Sequence, residues 1–121
     1  MATTQKIEGV TYRYRFITDE RDKKFRFYSV KAPVKKFKGM DAWFFAEVSV
    51  RTSQEIKKQF GHAARGWGSL KVQAVIGETT WKSSIFPDKK SGTYVLPLKA
   101  AVRQAEGIRA GKTVSLSLEI L

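Results

Sequence analysis

The stretch from Leu70 to Phe86 leaves this chain few folds to choose from. Leu70, Val72, Ala74 and Ile76 alternate with polar or exposed partners, Gly77-Glu78 offers a two-residue turn, and Thr79-Thr80-Trp81-Lys82-Ser83-Ser84-Ile85-Phe86 returns. Alternation with period 2 puts one side of a strand into a core, and a tight turn with glycine joins antiparallel neighbours, so the segment predicts a β-hairpin. The pattern recurs at Val114, Leu116, Leu118 and Ile120, with Ser115, Ser117 and Glu119 outward. It also recurs at Val10, Tyr12, Tyr14 and Phe16, opposed by Thr11, Arg13, Arg15 and Ile17. Thr18 to Lys23 reads as a charged turn, after which Phe25 and Phe27 open the second arm of an N-terminal hairpin. Val30 to Val34 is extended, and Pro33, which has no N–H to donate, argues for an edge or a bulge there. Lys38-Gly39 is a turn signal, Ala42 to Val50 reads as a buried strand, and Thr93 to Leu96 as a short strand after the polar loop Pro87 to Gly92.

Two segments break this period. Thr52 and Glu55 match a capping box, Ile56 and Phe60 share one helical face, and Gly61 supplies a left-handed stop, so a short helix is expected to begin at Thr52. Pro97 suits a helix's first turn, Leu98, Ala101, Val102 and Ala105 form a helical stripe, and Gly107 ends it. Seven or eight short strands with two short helices make a mainly β chain, for which a closed or nearly closed barrel avoids open edges. A length of 121 residues suits a single domain.

Composition narrows the chemistry. Without cysteine there is no disulfide, thiolate metal site or thiol nucleophile. No apolar run is long enough for a transmembrane helix, and the first residues lack a secretory apolar core, so a cytoplasmic protein with no membrane partner is expected. The formal net charge of +12 is uneven. Residues 1–40 carry eleven Lys/Arg against four Asp/Glu, and residues 57–90 carry seven against two. Such a surface attracts polyanions, and it also serves solubility.

His62 is the only histidine, so neither a Ser/His/Asp set nor a zinc site is indicated; beside Gly61 it reads as a helix C-terminal cap or a plain loop residue. The carboxylates show no shared spacing. No catalytic residue, metal or cofactor is assigned. Arg65-Gly66-Trp67-Gly68 has glycines that let backbone N–H groups approach a ligand and an arginine suited to phosphate, but it lacks the P-loop spacing; its plainer reading is a turn whose Trp67 plugs the barrel end. Aromatic and basic residues interleave at Tyr12-Arg13-Tyr14-Arg15 and Lys24-Phe25-Arg26-Phe27-Tyr28. Whether the rings stack on bases or face the core, a row of Arg13, Arg15, Lys24 and Arg26 remains to contact phosphates.

The run Thr80-Trp81-Lys82-Ser83-Ser84-Ile85-Phe86-Pro87 followed by Gly92-Thr93-Tyr94-Val95-Leu96-Pro97, with Phe60-Gly61 and Arg65 to Gly68 upstream and Gly107, Gly111 and Leu118-Glu119 downstream, resembles the bacterial domain-of-unknown-function family 1905 over roughly Val30 to Leu121. The resemblance implies a small double-split β-barrel and no assigned activity. A weaker likeness, at Leu96-Pro97, Arg103, Gly107-Ile108, Gly111 and Val114, is to the swapped-hairpin motif of AbrB-type DNA-binding proteins, from which Glu106 and Lys112 depart. Residues 1–29 match neither and read as a basic extension, a hairpin packed on the barrel domain 30–121.

The leading expectation is a non-enzymatic binding module for an anionic partner, nucleic acid first. A different class, a small-molecule or enzymatic site at the barrel mouth, would use Arg65, Lys82, Ser83, Ser84, Lys89 and Tyr94. A protein-interaction or structural domain is the third. Oligomeric state is left open.

Overall fold

The hairpin expected around Gly77 forms with the register its turn dictates. In the computed structural model, which describes residues 18–19, 24–36 and 43–121, β5 (Leu70–Ile76) pairs with β6 (Thr79–Asp88) from Ile76↔Thr79 to Leu70↔Ile85. Gly77 takes a φ of 59° in the turn. A methyl group there would also collide with the Glu106 carboxylate, which accepts hydrogen bonds from the Glu78 backbone N–H and the Thr79 hydroxyl. The backbone therefore favours glycine here, and a larger residue would also have to push the Glu106 carboxylate off these hydrogen bonds.

The other described elements are β1 (Thr18–Asp19), β2 (Lys24–Phe25), β3 (Phe27–Lys36), β4 (Phe44–Glu47), α1 (Val50–Phe60), β7 (Thr93–Pro97), α2 (Ala100–Glu106) and β8 (Thr113–Ile120). Six strands close into an antiparallel barrel in the order β3-β4-β7-β6-β5-β8. The two-residue strands β1 and β2 pair with each other (Thr18↔Phe25, Asp19↔Lys24), at the turn end of the expected N-terminal hairpin. Its remainder, including Tyr12-Arg13-Tyr14-Arg15, lies outside the described residues, as does Lys38-Gly39.

Two ten-residue strands hold the barrel together by changing partners midway. β3 pairs with β8 through Pro33↔Thr113 and then with β4 from Val34↔Ala46; β6 pairs with β5 through Ile85 and with β7 from Phe86↔Val95. Pro33 thus lies in the part of β3 that is paired on one side only, which agrees with the expected edge, and the register through Phe27–Pro33 is continuous, with no bulge. It stands where β3 leaves one ladder for the other, a place where a missing N–H costs nothing. The barrel is split twice, because Phe27–Pro33 of β3 and Thr79–Ile85 of β6 are each paired on one side only.

A helix packs at each split. By β3, Phe60 of α1 lies beneath Arg26, whose guanidinium is 5.3 Å from its ring centroid. By β6, Glu106 of α2 reaches the hairpin turn. α1 is capped three residues before the expected Thr52: Ser49 is the N-cap, its hydroxyl accepting from the Thr52 N–H at 3.2 Å. Val48 and Val50 made the preceding segment look like strand, while the hydroxyl at the true cap sat between them. Gly61 adopts right-handed φ/ψ (−57°, −31°) and runs into a 3-10 turn, so it is no left-handed stop. Gly107, by contrast, is left-handed as expected. Pro97 ends β7, paired with Phe45, and α2 begins only at Ala100, with Lys99 as its N-cap. Of its expected stripe, Leu98 precedes the helix and is buried, Val102 is buried within it, and Ala101 and Ala105 are exposed, since seven residues make less than two turns.

The core follows the alternation. Leu70, Val72, Ala74 and Ile76 from β5 and Leu116, Leu118 and Ile120 from β8 are buried with Ile85, Leu96, Ile56 and Phe60. Ser53 and Thr93 are the polar exceptions among the described residues; Ser53 donates to the Val48 carbonyl (3.2 Å) and accepts from the Tyr94 N–H (2.9 Å), which ties α1 to β7. Burial, with a smaller effect of Glu55, pushes the Tyr28 hydroxyl up to about 12.

Candidate functional site

The hairpin register puts Lys71, Lys82 and Ser84 on the outer face. Lys71 pairs with Ser84 and Gln73 with Lys82, so the two lysines are diagonal neighbours across β5 and β6. They lie in a chain of three surface depressions. The first, about 210 Å³, occupies the split beside β6 and is lined by Trp43, Trp81, Lys82, Ser83 and Lys99 among others. α1 is eleven residues long and α2 only seven, and the depression lies in the part of the split just before α2 begins. Its rim is braced by Arg103, which stacks 4.1 Å from the Phe44 ring centroid and donates to the Leu98 carbonyl at 3.0 Å. The second depression, about 420 Å³, shares Lys82 and Ser83 with the first and adds Lys71, Ser84 and Phe86. The third, about 310 Å³, shares Lys71 and Leu121 with the second and adds Arg26, His62 and Arg65.

The three depressions adjoin one another through these shared lining residues and make a row, the groove, along which Lys99, Lys82, Lys71 and Arg65 are all exposed. Among the described residues no acidic side chain lines any part of it. The carboxylates are spent elsewhere. Glu106 caps the hairpin turn, and Asp88 accepts from Ser91 (2.9 Å) and the Lys90 N–H. Glu47 is held by Lys35 at 2.7 Å and by the Thr93 hydroxyl. Glu119 is the exception: it faces outward across Gln73 from Lys82, roughly 10 Å away by strand spacing, and is the diagonal neighbour of Lys71, though it lines none of the three depressions.

The Lys35–Glu47–Thr93–Ser91–Asp88 chain is the most connected polar cluster, and it acts as a clamp between β3, β4 and β7. Hydrogen bonding to Lys35 holds the Glu47 carboxyl below its ordinary range, against the opposing effect of burial. A carboxylate so stabilised is a poor proton acceptor, so Glu47 is unsuited to act as a general base. A depressed folded-state pKa contributes stability above the ordinary carboxylate range and loses it as pH falls through the folded value. Urea unfolding near pH 7 and near pH 3 should therefore show Glu47→Gln losing less stability on acidification than the parent. Equal losses would contradict the clamp.

The residues singled out from sequence divide. Lys82, Ser83, Ser84 and Arg65 line the groove. Lys89 is exposed on the β6–β7 turn outside it. Tyr94 is 3% exposed, its side chain in the core, so it cannot join a site at the barrel mouth. Arg26 borders the third depression but is engaged within the fold, donating to the Ile120 carbonyl at 3.2 Å. Of Lys24 only the strand pairing is described, and Arg13 and Arg15 lie outside the described residues. His62 is exposed in the 3-10 turn; Gly61 is itself the cap of α1, donating to the Lys57 carbonyl. Trp67 does not plug the barrel: it is 92% exposed. Lys71 was missed although the hairpin register implies its position, whereas Trp43 and Lys99 arrive only when β4 and β7 close against β6.

The family described as Domain of unknown function (DUF1905) matches residues 31–118, from within β3 almost to the end of β8. No curated protein matches the chain.

Proposed function

The chain belongs to the DUF1905 family, a domain of unknown function, and from that premise we propose that this barrel is a non-enzymatic binding module for an anionic polymer, nucleic acid first. The observation that carries the proposal is the continuity of the groove, with four exposed cations along it and no acidic lining side chain among the described residues. A formal charge of +12 attracts polyanions from a distance. The groove supplies a place for the charge to be used. An extended, multiply charged ligand fits a row of linked depressions better than a compact one does, because each linked segment brings its own lysine or arginine.

Counterion release makes the proposal quantitative. Four phosphate contacts give a slope of log affinity against log salt of about −3 on a single strand and about −3.6 on a duplex. Titrating labelled oligonucleotides by fluorescence anisotropy between about 50 and 200 mM salt should then show an affinity loss of roughly 50-fold or more. Absence of binding at about 50 mM salt would reject the reading.

A further inference from the structure

The groove's cations alternate with exposed rings. Trp43, 52% exposed, stands in the first depression with Lys82 and Lys99, and Phe86, 36% exposed, in the second with Lys71 and Lys82. Two residues after Arg65 of the third, and itself lining none of the depressions, is Trp67, 92% exposed and the only non-glycine among the described residues with a positive φ (63°). A bulky side chain in that region is strained, and an indole left in water forgoes the gain of burial. The strain is held in place locally. The Gly68 N–H donates to the Arg65 carbonyl and the Arg65 N–H to the Ser69 carbonyl, each at 2.8 Å, and Gly68 sits so tightly against Pro87 that a Cβ would come 2.9 Å from its ring. A loop that strains its backbone to present a ring, beside an arginine, needs a reason outside the fold.

Resting on the polyanion reading above, we infer that the groove takes single-stranded rather than double-stranded nucleic acid, with unstacked bases against Trp43 and Trp67. Charge alone would serve any polyanion. Exposed rings interleaved with cations add something only where the ligand offers flat faces between its charges, and bases do so once they are free of a duplex. In a duplex those faces are taken up by stacking, and reaching them requires unstacking at a cost. The two indoles follow one strand: Trp43 meets β6 at Trp81–Ser83 and the Trp67 loop meets it at Pro87, some 17 Å further on by strand rise. A ligand touching both spans several nucleotides.

The test uses the intact chain, a labelled 20-nucleotide thymidine strand, a duplex with the same number of phosphates, and inorganic polyphosphate as competitor, all at about 50 mM salt. The single strand should bind at least about 10-fold more tightly than the duplex and resist polyphosphate. Trp43→Ala and Trp67→Gly should each cost roughly 10-fold on the single strand and leave the duplex unchanged. Trp67→Gly should melt no lower than the parent, since glycine adopts this backbone freely, so its loss of affinity cannot be ascribed to unfolding. Equal affinity for the two forms, displacement by polyphosphate as effective as by thymidine, or unchanged single-strand affinity in both variants would overturn the inference while leaving the polyanion reading intact. Failure of every nucleic acid to bind would remove both.

Discussion

Reversing Lys71 and Lys82 together to glutamate should weaken oligonucleotide binding roughly 100-fold, while reversing Arg51 and Lys112 should cost only a few-fold. Each pair lowers the formal net charge from +12 by the same four units, to +8. Long-range attraction is therefore matched, and only the local contacts differ. A charge pair about 4 Å apart contributes about 1 kcal/mol in water, and reversing one member turns attraction into repulsion, a change of about 2 kcal/mol. Two reversals reduced by salt screening leave about 3 kcal/mol, which is roughly 100-fold. Arg51 and Lys112 are exposed and line none of the three depressions. The groove pair should also flatten the salt slope by about 1.4, one increment per lost phosphate contact. Both sites are exposed, so folding should lose no more than about 1 kcal/mol, most of it from the new repulsion between position 71 and its diagonal neighbour Glu119. Anisotropy titration of both pairs decides between a built groove and a diffusely basic surface; equal losses would favour the latter.

The largest effect on stability should come from Leu118→Ala, which is expected to lower the unfolding free energy by about 3 kcal/mol. Leu118 lies midway along β8, 1% exposed, between Tyr28 of β3 on one side and Ala74 of β5 on the other. The Ala74 methyl is too short to fill the space an alanine would leave, so the loss combines transfer and cavity costs. In urea unfolding the midpoint should fall with the slope unchanged, and at temperatures where the variant stays folded its oligonucleotide affinity should match the parent's. A shift of only a few tenths of a kcal/mol would mean that the barrel repacks freely around β8.

Sequence reasoning reached the local parts of this molecule. A two-residue turn at Gly77-Glu78 and the alternation on either side settle a register, and that register carries Lys71, Lys82 and Ser84 to one face. The final strand and its buried residues followed for the same reason. Errors arose where two local rules compete. Ser49 and Thr52 both precede plausible helix starts, and the β-branched residues around Ser49 favoured the later one. Pro97 satisfies a helix start and a strand end equally, and only its pairing with Phe45 decides. Trp67 was expected at the barrel end as a plug, yet its exposure goes with a strained backbone that composition does not reveal. The groove as a whole was illegible because Trp43 and Lys99 reach β6 through barrel closure, and contacts far apart in sequence leave no periodic trace.

Backbone and indole NMR of the intact chain during oligonucleotide titration locates the polymer on the barrel surface. Shifts should concentrate at Trp43, Trp67, Lys71, Lys82, Ser84 and Lys99, with both exposed indole N–H signals moving in step with saturation. Shifts gathered instead around Lys31, Arg51 and Lys112, with those indole signals unmoved, would contradict binding in the groove.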